Sequence, residues 1–110
     1  MKALVTGASG FIGSTLVEEL GQAGFEVDAL LRKTSSLSNL EGMQYRRVEG
    51  DLSDEATLRK AVREVDYVFH LAGATKAPDR SAFFRHNAQG TEVIARVVAE
   101  ERPGLSRFVY

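Results

Sequence analysis

The sequence predicts a doubly wound α/β domain built on a parallel sheet. Two observations carry this: short β-rich runs alternate with helical patterns along the chain, and a glycine-rich turn joins the first run to the first helical pattern. Strands separated by helical crossovers lie parallel, because each right-handed crossover must return over the sheet, and helices then cover both faces.

Ala3-Leu4-Val5 is a short apolar run suited to a strand buried on both sides. Phe11 to Ala23 reads as a helix in which Ile12, Leu16, Val17 and Leu20 form one buried stripe, with Gly21 and Gly24 as places to stop. Glu26 to Leu31 is a second strand. From Arg32 to Gly42 the composition turns polar, with Thr34, Ser35, Ser36, Ser38 and Asn39, which predicts a mobile irregular connection or a short frayed helix.

Gln44 to Glu49 gives a third strand. Ser53 is placed to cap a helix whose first turn carries Asp54 and Glu55, favourable against the helix dipole, and whose buried stripe is Leu58, Ala61, Val62 and Val65. Tyr67 to Ala72 is the fourth strand, leading through Gly73 to Pro78 into a long helix from about Ser81 to Glu101 that Pro103-Gly104 ends. Arg107-Phe108-Val109-Tyr110 begins a fifth strand. A last strand with no outer neighbour exposes unpaired backbone, so the chain reads as an amino-terminal piece of a longer protein and is expected to self-associate.

Composition narrows the function classes. At 110 residues the chain is one small domain, and 44% hydrophobic with 26% charged residues excludes a disordered or fibrous one. Fourteen Lys plus Arg against fifteen Asp plus Glu leave a formal charge of −1, which gives no global field for nucleic acid or an anionic membrane. Binding must come from a local site. With no cysteine there is no disulfide framework, thiolate metal site or Cys nucleophile, which points to a reducing compartment. Thr6 to Gly10 interrupts the opening apolar run before it could serve as a secretory signal, and no run approaches the ~18 apolar residues of a membrane span, so a cytoplasmic location is expected.

Gly7, Gly10 and Gly13 follow the first strand and open the first helix, the order in which a dinucleotide-binding turn is built. Gly7 permits the tight turn, Gly10 lets the backbone approach a pyrophosphate, and Gly13 lets the helix pack closely on the strand. The amides of Phe11 and Ile12 would then face phosphate from the positive end of the helix. A ligand-free tight turn is the competing reading. An ordinary triphosphate-binding P-loop is excluded, because no Gly precedes a Lys.

Thr6-Gly7-x-x-Gly10-x-x-Gly13, Gly50-Asp51-Leu52, His70-Leu71-Ala72-Gly73 and Asn87-x-x-Gly90-Thr91 occur in this order. Together they resemble the extended short-chain dehydrogenase/reductase family, which includes sugar-nucleotide epimerases and dehydratases and dihydroflavonol reductases. The resemblance covers the whole chain and implies a Rossmann-type sheet in strand order 3-2-1-4-5, with residues 1–110 as the dinucleotide-binding domain. The polar segment Thr34 to Leu40 is most similar to the dihydroflavonol-reductase-like subgroup, which implies a carbonyl reductase as the full-length enzyme.

Where a NAD-binding fold places an acid at the end of strand two, about 20 residues beyond the glycines, this chain has Leu31-Arg32-Lys33. The Arg32 guanidinium can clamp a 2′-phosphate, and Lys33 adds charge beside it, so NADP is expected ahead of NAD. A solvated basic pair is the plainer reading of both. Asp28 keeps NAD open if the strand boundary lies elsewhere.

By resemblance, Asp51 accepts from the adenine amine and Leu52 packs on the ring, whereas the bland alternative makes Asp51 a helix cap in competition with Ser53. Ala72, Gly73 and Ala74 end the fourth strand at the same edge, where small residues let a ribose approach the backbone or let a helix pack closely. Asn87 matches the family's helix position near the cofactor, and equally suits a bond to a neighbouring loop. His70 lies within a buried strand and reads as a satisfied core histidine rather than a catalyst. His86 has no metal-spaced partner, so no metal is expected. Arg59, Lys60 and Arg63, with Glu55 and Glu64, read as a solvated helix face.

The family's catalytic Tyr-x-x-x-Lys pair is absent: Glu49 follows Tyr45 at that spacing, Leu71 follows Tyr67, and Tyr110 falls in the fifth-strand segment that in the family precedes the catalytic Ser or Thr. No catalytic residue is therefore assigned. Expected partners are a dinucleotide and, only in a full-length protein, a small-molecule substrate; neither nucleic acid nor membrane is expected. Two alternatives stand beside the enzyme portion: a non-catalytic NADP-sensing regulator, and a fold fragment that retains no binding.

Overall fold

A computed structural model describes the backbone of residues 1–71 and 80–109 and the side chains of 1–71 and 90–109. The elements are β1 (Lys2–Thr6), α1 (Phe11–Gln22), β2 (Glu26–Leu31), a short 3-10 helix (Ser38–Leu40), β3 (Arg46–Glu49), α2 (Glu55–Val62), β4 (Tyr67–His70), α3 (Arg80–Glu101) and β5 (Arg107–Val109). The strands form one sheet in the order β3-β2-β1-β4-β5. Every pairing is parallel, with Leu4 beside Asp28 and Val68. The expected doubly wound Rossmann-type arrangement is the one observed.

Alternation along each strand splits the core into two layers. Leu4, Leu30 and Val68 point to the α2/α3 side, where they meet Leu58, Val62, Ile94 and Val97. Ala3, Val5, Val27, Ala29 and Leu31 point to the α1 side, against Val17 and Leu20. The central strand β1 is wholly apolar from Ala3 to Val5 because both its faces are covered.

The observed helices correct several expectations. Ile12 is not on the buried stripe of α1: it is 72% exposed, and the buried residues are Gly13, Ser14, Val17 and Leu20. Gly13 touches the turn and sets the helix rotation, so Val17 and Leu20 follow it inward at helical spacing while Ile12, one residue earlier, swings out. Helix α1 gives way at Ala23 to Gly24, whose φ of +91° is the left-handed conformation that suits glycine after a helix.

The cap of α2 is Asp54, whose side chain accepts from the Thr57 amide at 3.4 Å, and not Ser53. Because α2 begins at Glu55, Ser53 lies one residue outside the cap, where its backbone N–H donates to Asp51 Oδ1 at 3.1 Å. Helix α2 ends at Val62, so buried Val65 lies beyond it, and β3 starts at Arg46 rather than Gln44.

The basic face of α2 is not simply solvated. Arg59 reaches Glu100 at 2.6 Å and Glu101 at 3.2 Å on α3, and Glu55 at 3.4 Å on its own helix. Arg63 meets Glu101 at 3.0 Å, and Arg96 bonds Glu55. Hydrogen bonds from Arg63 and Arg59 hold the Glu101 carboxyl below its ordinary pKa. These pairs tie α2 to α3 over the hydrophobic layer beneath. Among the described residues, no helix is long and apolar enough to cross a membrane.

Candidate dinucleotide site

The chain leaves β1 at Thr6 and turns at Gly7, whose φ of +74° would strain any side chain. The Gly10 N–H donates back to Gly7 O at 3.2 Å and closes the turn. At Gly13 an added Cβ would stand 2.0 Å from Gly7 O and 2.8 Å from Gly7 C, so only a hydrogen fits where α1 crosses the turn.

Gly10 differs from both. Its φ of −74° and ψ of 171° suit any residue, and a Cβ there would meet Gly7 O at an ordinary 3.4 Å. Nothing within the protein requires glycine at this position, and its bare backbone leaves room that a side chain would fill. Gly10 is also the N-cap of α1, and no side-chain oxygen caps the helix. The amides of Phe11, Ile12 and Gly13 therefore have no partner within the helix, and the first turn carries no acidic side chain. Such a terminus is open to an anion.

Beyond the turn, a cleft of about 330 Å³ opens at the carboxyl ends of β2 and β3, between Arg32, Lys33, Glu49, Gly50, Asp51, Asp54 and Thr57. Its walls carry two cations and three carboxylates. Among the described residues, the Arg32 guanidinium and the Lys33 ammonium are in no ion pair, and both side chains are exposed. The Arg32 backbone is fixed: its N–H donates to Ser35 Oγ at 3.0 Å and its carbonyl accepts from Arg47 Nη2 at 3.1 Å.

Asp51 is half-buried and, in place of capping α2, accepts the Ser53 N–H. Leu52 packs against the α2/α3 core layer, and a Cβ at Gly90 would come within 3.2 Å of its Cδ1.

Asp28 does not stand at the strand end. It sits mid-strand in β2, 2% exposed, and receives Arg46 Nε at 3.0 Å and Nη2 at 2.7 Å. Buried mid-strand and held by this bidentate pair, Asp28 is not presented at the carboxyl edge as an acceptor for a ribose. The hydrogen bond to Asp28, reinforced by its charge, raises the Arg46 pKa.

The structure thus brings Gly7, Gly10, Phe11, Ile12 and Gly13, and then Arg32, Lys33, Asp51 and Leu52, to the carboxyl edge of one sheet. Ala72, Gly73 and Ala74 lie outside the described residues. Asn87 falls within α3 by its backbone, with its side chain, like that of His86, outside the description. His70 is a core histidine at 4% exposure, hydrogen-bonded through Nδ1 to Thr6 Oγ1 at 2.7 Å. It is satisfied on one nitrogen only, because Nε2 is buried without a partner among the described residues. No group of three or more His, Cys, Asp or Glu that could hold a metal ion occurs among the described residues.

One residue escaped sequence reasoning. Asn39, which reads as one more polar loop position, donates from Nδ2 to Ser9 O at 3.0 Å, 30 residues away on the glycine turn. The local signal is the pair Leu37 and Leu40, apolar side chains in a polar stretch that both pack into the α1-side core.

Comparison with known proteins places this geometry. Sterol demethylase protein B of Methylococcus capsulatus is 34% identical over 112 aligned positions, covering 100% of this chain and 34% of its own length. The 2-alkyl-3-oxoalkanoate reductase of Stenotrophomonas maltophilia is 36% identical over 113 positions, covering 100% and 32%. Among solved structures, the UDP-glucose 4-epimerase of Thermus thermophilus in complex with NAD superposes with a TM-score of 0.79 at 30% identity, covering 100% of this chain and 37% of that one. The chain spans about a third of the length of these relatives. Residues 3–110 match the NAD dependent epimerase/dehydratase family nearly end to end. With the sheet order, the glycine turn and these relatives in agreement, the chain belongs to that family.

Proposed function

We propose that residues 1–110 are the dinucleotide-binding domain of an NADP-dependent carbonyl reductase. The observation that carries the dinucleotide is Gly10: a bare backbone that the protein itself does not require, at the uncapped positive end of α1. The diphosphate rests on the amides of Phe11, Ile12 and Gly13. Asp51 and Leu52 take the adenine, Arg32 and Lys33 take the 2′-phosphate, Ala72, Gly73 and Ala74 let a ribose approach the backbone, and Asn87 stands near the cofactor. When bound, such a cofactor supplies hydride exchange with a carbonyl or an alcohol.

NADP is favoured over NAD because the two cations at the end of β2 are unpaired among the described residues, while Asp28 is locked to Arg46. The reductase activity is supported by the reductase among the relatives and by the polar segment after Arg32. The chain itself holds no Tyr-x-x-x-Lys pair, so the chemical step is assigned to the full-length protein. Fluorescence titration of the chain with NADPH and NADH tests the reading. Saturable binding of both, tighter for NADPH, is expected; two flat titrations would overturn it.

A further inference from the structure

The segment after β2 runs back over the glycine turn. Leu37 and Leu40 stand three apart, a spacing that a 3-10 turn eclipses onto one side, and both pack into the α1-side core. Leu40 N–H donates to Leu37 O at 3.0 Å, and Met43 N–H to Leu40 O at 3.1 Å. At the other end Ser35 holds the Arg32 amide. Anchored at both ends, the segment presents Asn39 to the turn, where Nδ2 donates to Ser9 O at 3.0 Å.

That contact has a specific consequence. The Ser9–Gly10 peptide is gripped on both sides: its carbonyl by Asn39, and its N–H by Gly7 O at 3.2 Å. A planar peptide held at both polar atoms cannot rotate freely. It leads directly into the amides of Phe11, Ile12 and Gly13. We propose that Asn39 is a positioning residue for the diphosphate, acting through the Ser9–Gly10 peptide to pre-set those amides. This rests on the dinucleotide reading above. Preorganised donors bind an anion without the cost of ordering them, so loss of the grip lowers affinity for the diphosphate and not for the distal 2′-phosphate.

The test uses Asn39→Ala and Asn39→Asp in the chain as it stands, with two probes followed by NMR chemical shifts. ADP-ribose carries the diphosphate, and adenosine 2′-monophosphate carries only the distal phosphate. Because Asn39 is exposed, neither variant removes core packing. Asn39→Ala should weaken ADP-ribose about threefold to tenfold, the worth of one net hydrogen bond. Asn39→Asp, which sets a carboxylate against a carbonyl, should weaken it more. Adenosine 2′-monophosphate should be unaffected by Asn39→Ala. Unchanged ADP-ribose affinity in both variants, or equal loss for both probes in Asn39→Ala, would overturn the proposal. If the wild-type chain binds neither probe, the dinucleotide reading fails, and amide hydrogen exchange then judges the grip alone. Faster exchange across residues 9–13 in Asn39→Ala supports it, and unchanged exchange overturns it.

Discussion

Thr6 and His70 stand side by side at the carboxyl ends of β1 and β4, in register, with Oγ1 and Nδ1 2.7 Å apart. The other ring nitrogen of His70 is buried without a partner among the described residues. Two adjacent strands thus share a buried polar contact near their carboxyl ends, and among the described residues the imidazole Nε2 has no acceptor for a second proton.

Burial lowers the His70 pKa in the folded chain. The unfolded chain, with an ordinary histidine pKa near 6.5, binds the proton more readily, so protonation favours unfolding. The stability that depends on neutral His70 is complete above about pH 6.5 and is lost as the pH falls toward the depressed folded value. Melting temperatures of wild type and His70→Gln across pH 5 to 8 check this. The wild type should lose more on acidification than the variant, and parallel curves would contradict the assignment.

Gly10 and Gly13 should respond differently to the same substitution. Gly13→Ala drives a methyl to 2.0 Å from a backbone oxygen that cannot retreat without moving the turn, and should cost about 1–3 kcal/mol or more. Gly10→Ala meets only an ordinary 3.4 Å contact and a permissive backbone, so apart from the modest cost of alanine at an N-cap the melting temperature should change far less than in Gly13→Ala. Its dinucleotide affinity should nevertheless fall, because the methyl fills the room above the helix terminus. Thermal denaturation beside cofactor titration separates the two; an equal loss of stability in both would remove the distinction on which the site rests.

How much of this was legible depended on range. β2 is legible at its true bounds, Glu26 to Leu31, because apolar periodicity is local and Gly24 and Arg32 punctuate it. The rotation of α1 at Ile12 is not legible, since hydrophobic spacing cannot see that Gly13 is the residue in contact. Ser53 and Asp54 are both good caps by residue type, and they are separated only by where the helix begins, at Glu55, which residue type does not reveal. Asp28 with Arg46, and Asn39 with Ser9, join residues 18 and 30 apart in sequence, and no spacing rule reaches across that distance.

The Asp28–Arg46 pair yields a test of the rejected ribose acceptor. Arg46→Ala strands a carboxylate that is 2% exposed, and should cost about 3 kcal/mol, the lower end for a buried pair because the Arg46 side chain is itself 57% exposed. Asp28→Asn should cost less, since the neutral amide is cheaper to bury, and should leave the ratio of NAD to NADP affinity unchanged. A selective loss of NAD in Asp28→Asn would restore Asp28 to the site.

Arg32 carries the sharpest prediction about specificity. Its side chain and that of Lys33 are the cations of a cleft that also holds Glu49, Asp51 and Asp54, so an added 2′-phosphate must be met by these two or be repelled. Arg32→Ala removes the guanidinium while the backbone contacts to Ser35 and Arg47 persist, because both use main-chain atoms of residue 32. A charge-assisted contact is worth about 1.5–3 kcal/mol, so NADP should weaken roughly tenfold to a hundredfold and NAD should change little. Lys33→Ala should act in the same direction and less strongly, since an ammonium lacks the guanidinium's paired donors. Calorimetric titration of both variants with both cofactors decides it: equal losses for NAD and NADP would assign the basic pair to the solvated surface and not to the cofactor.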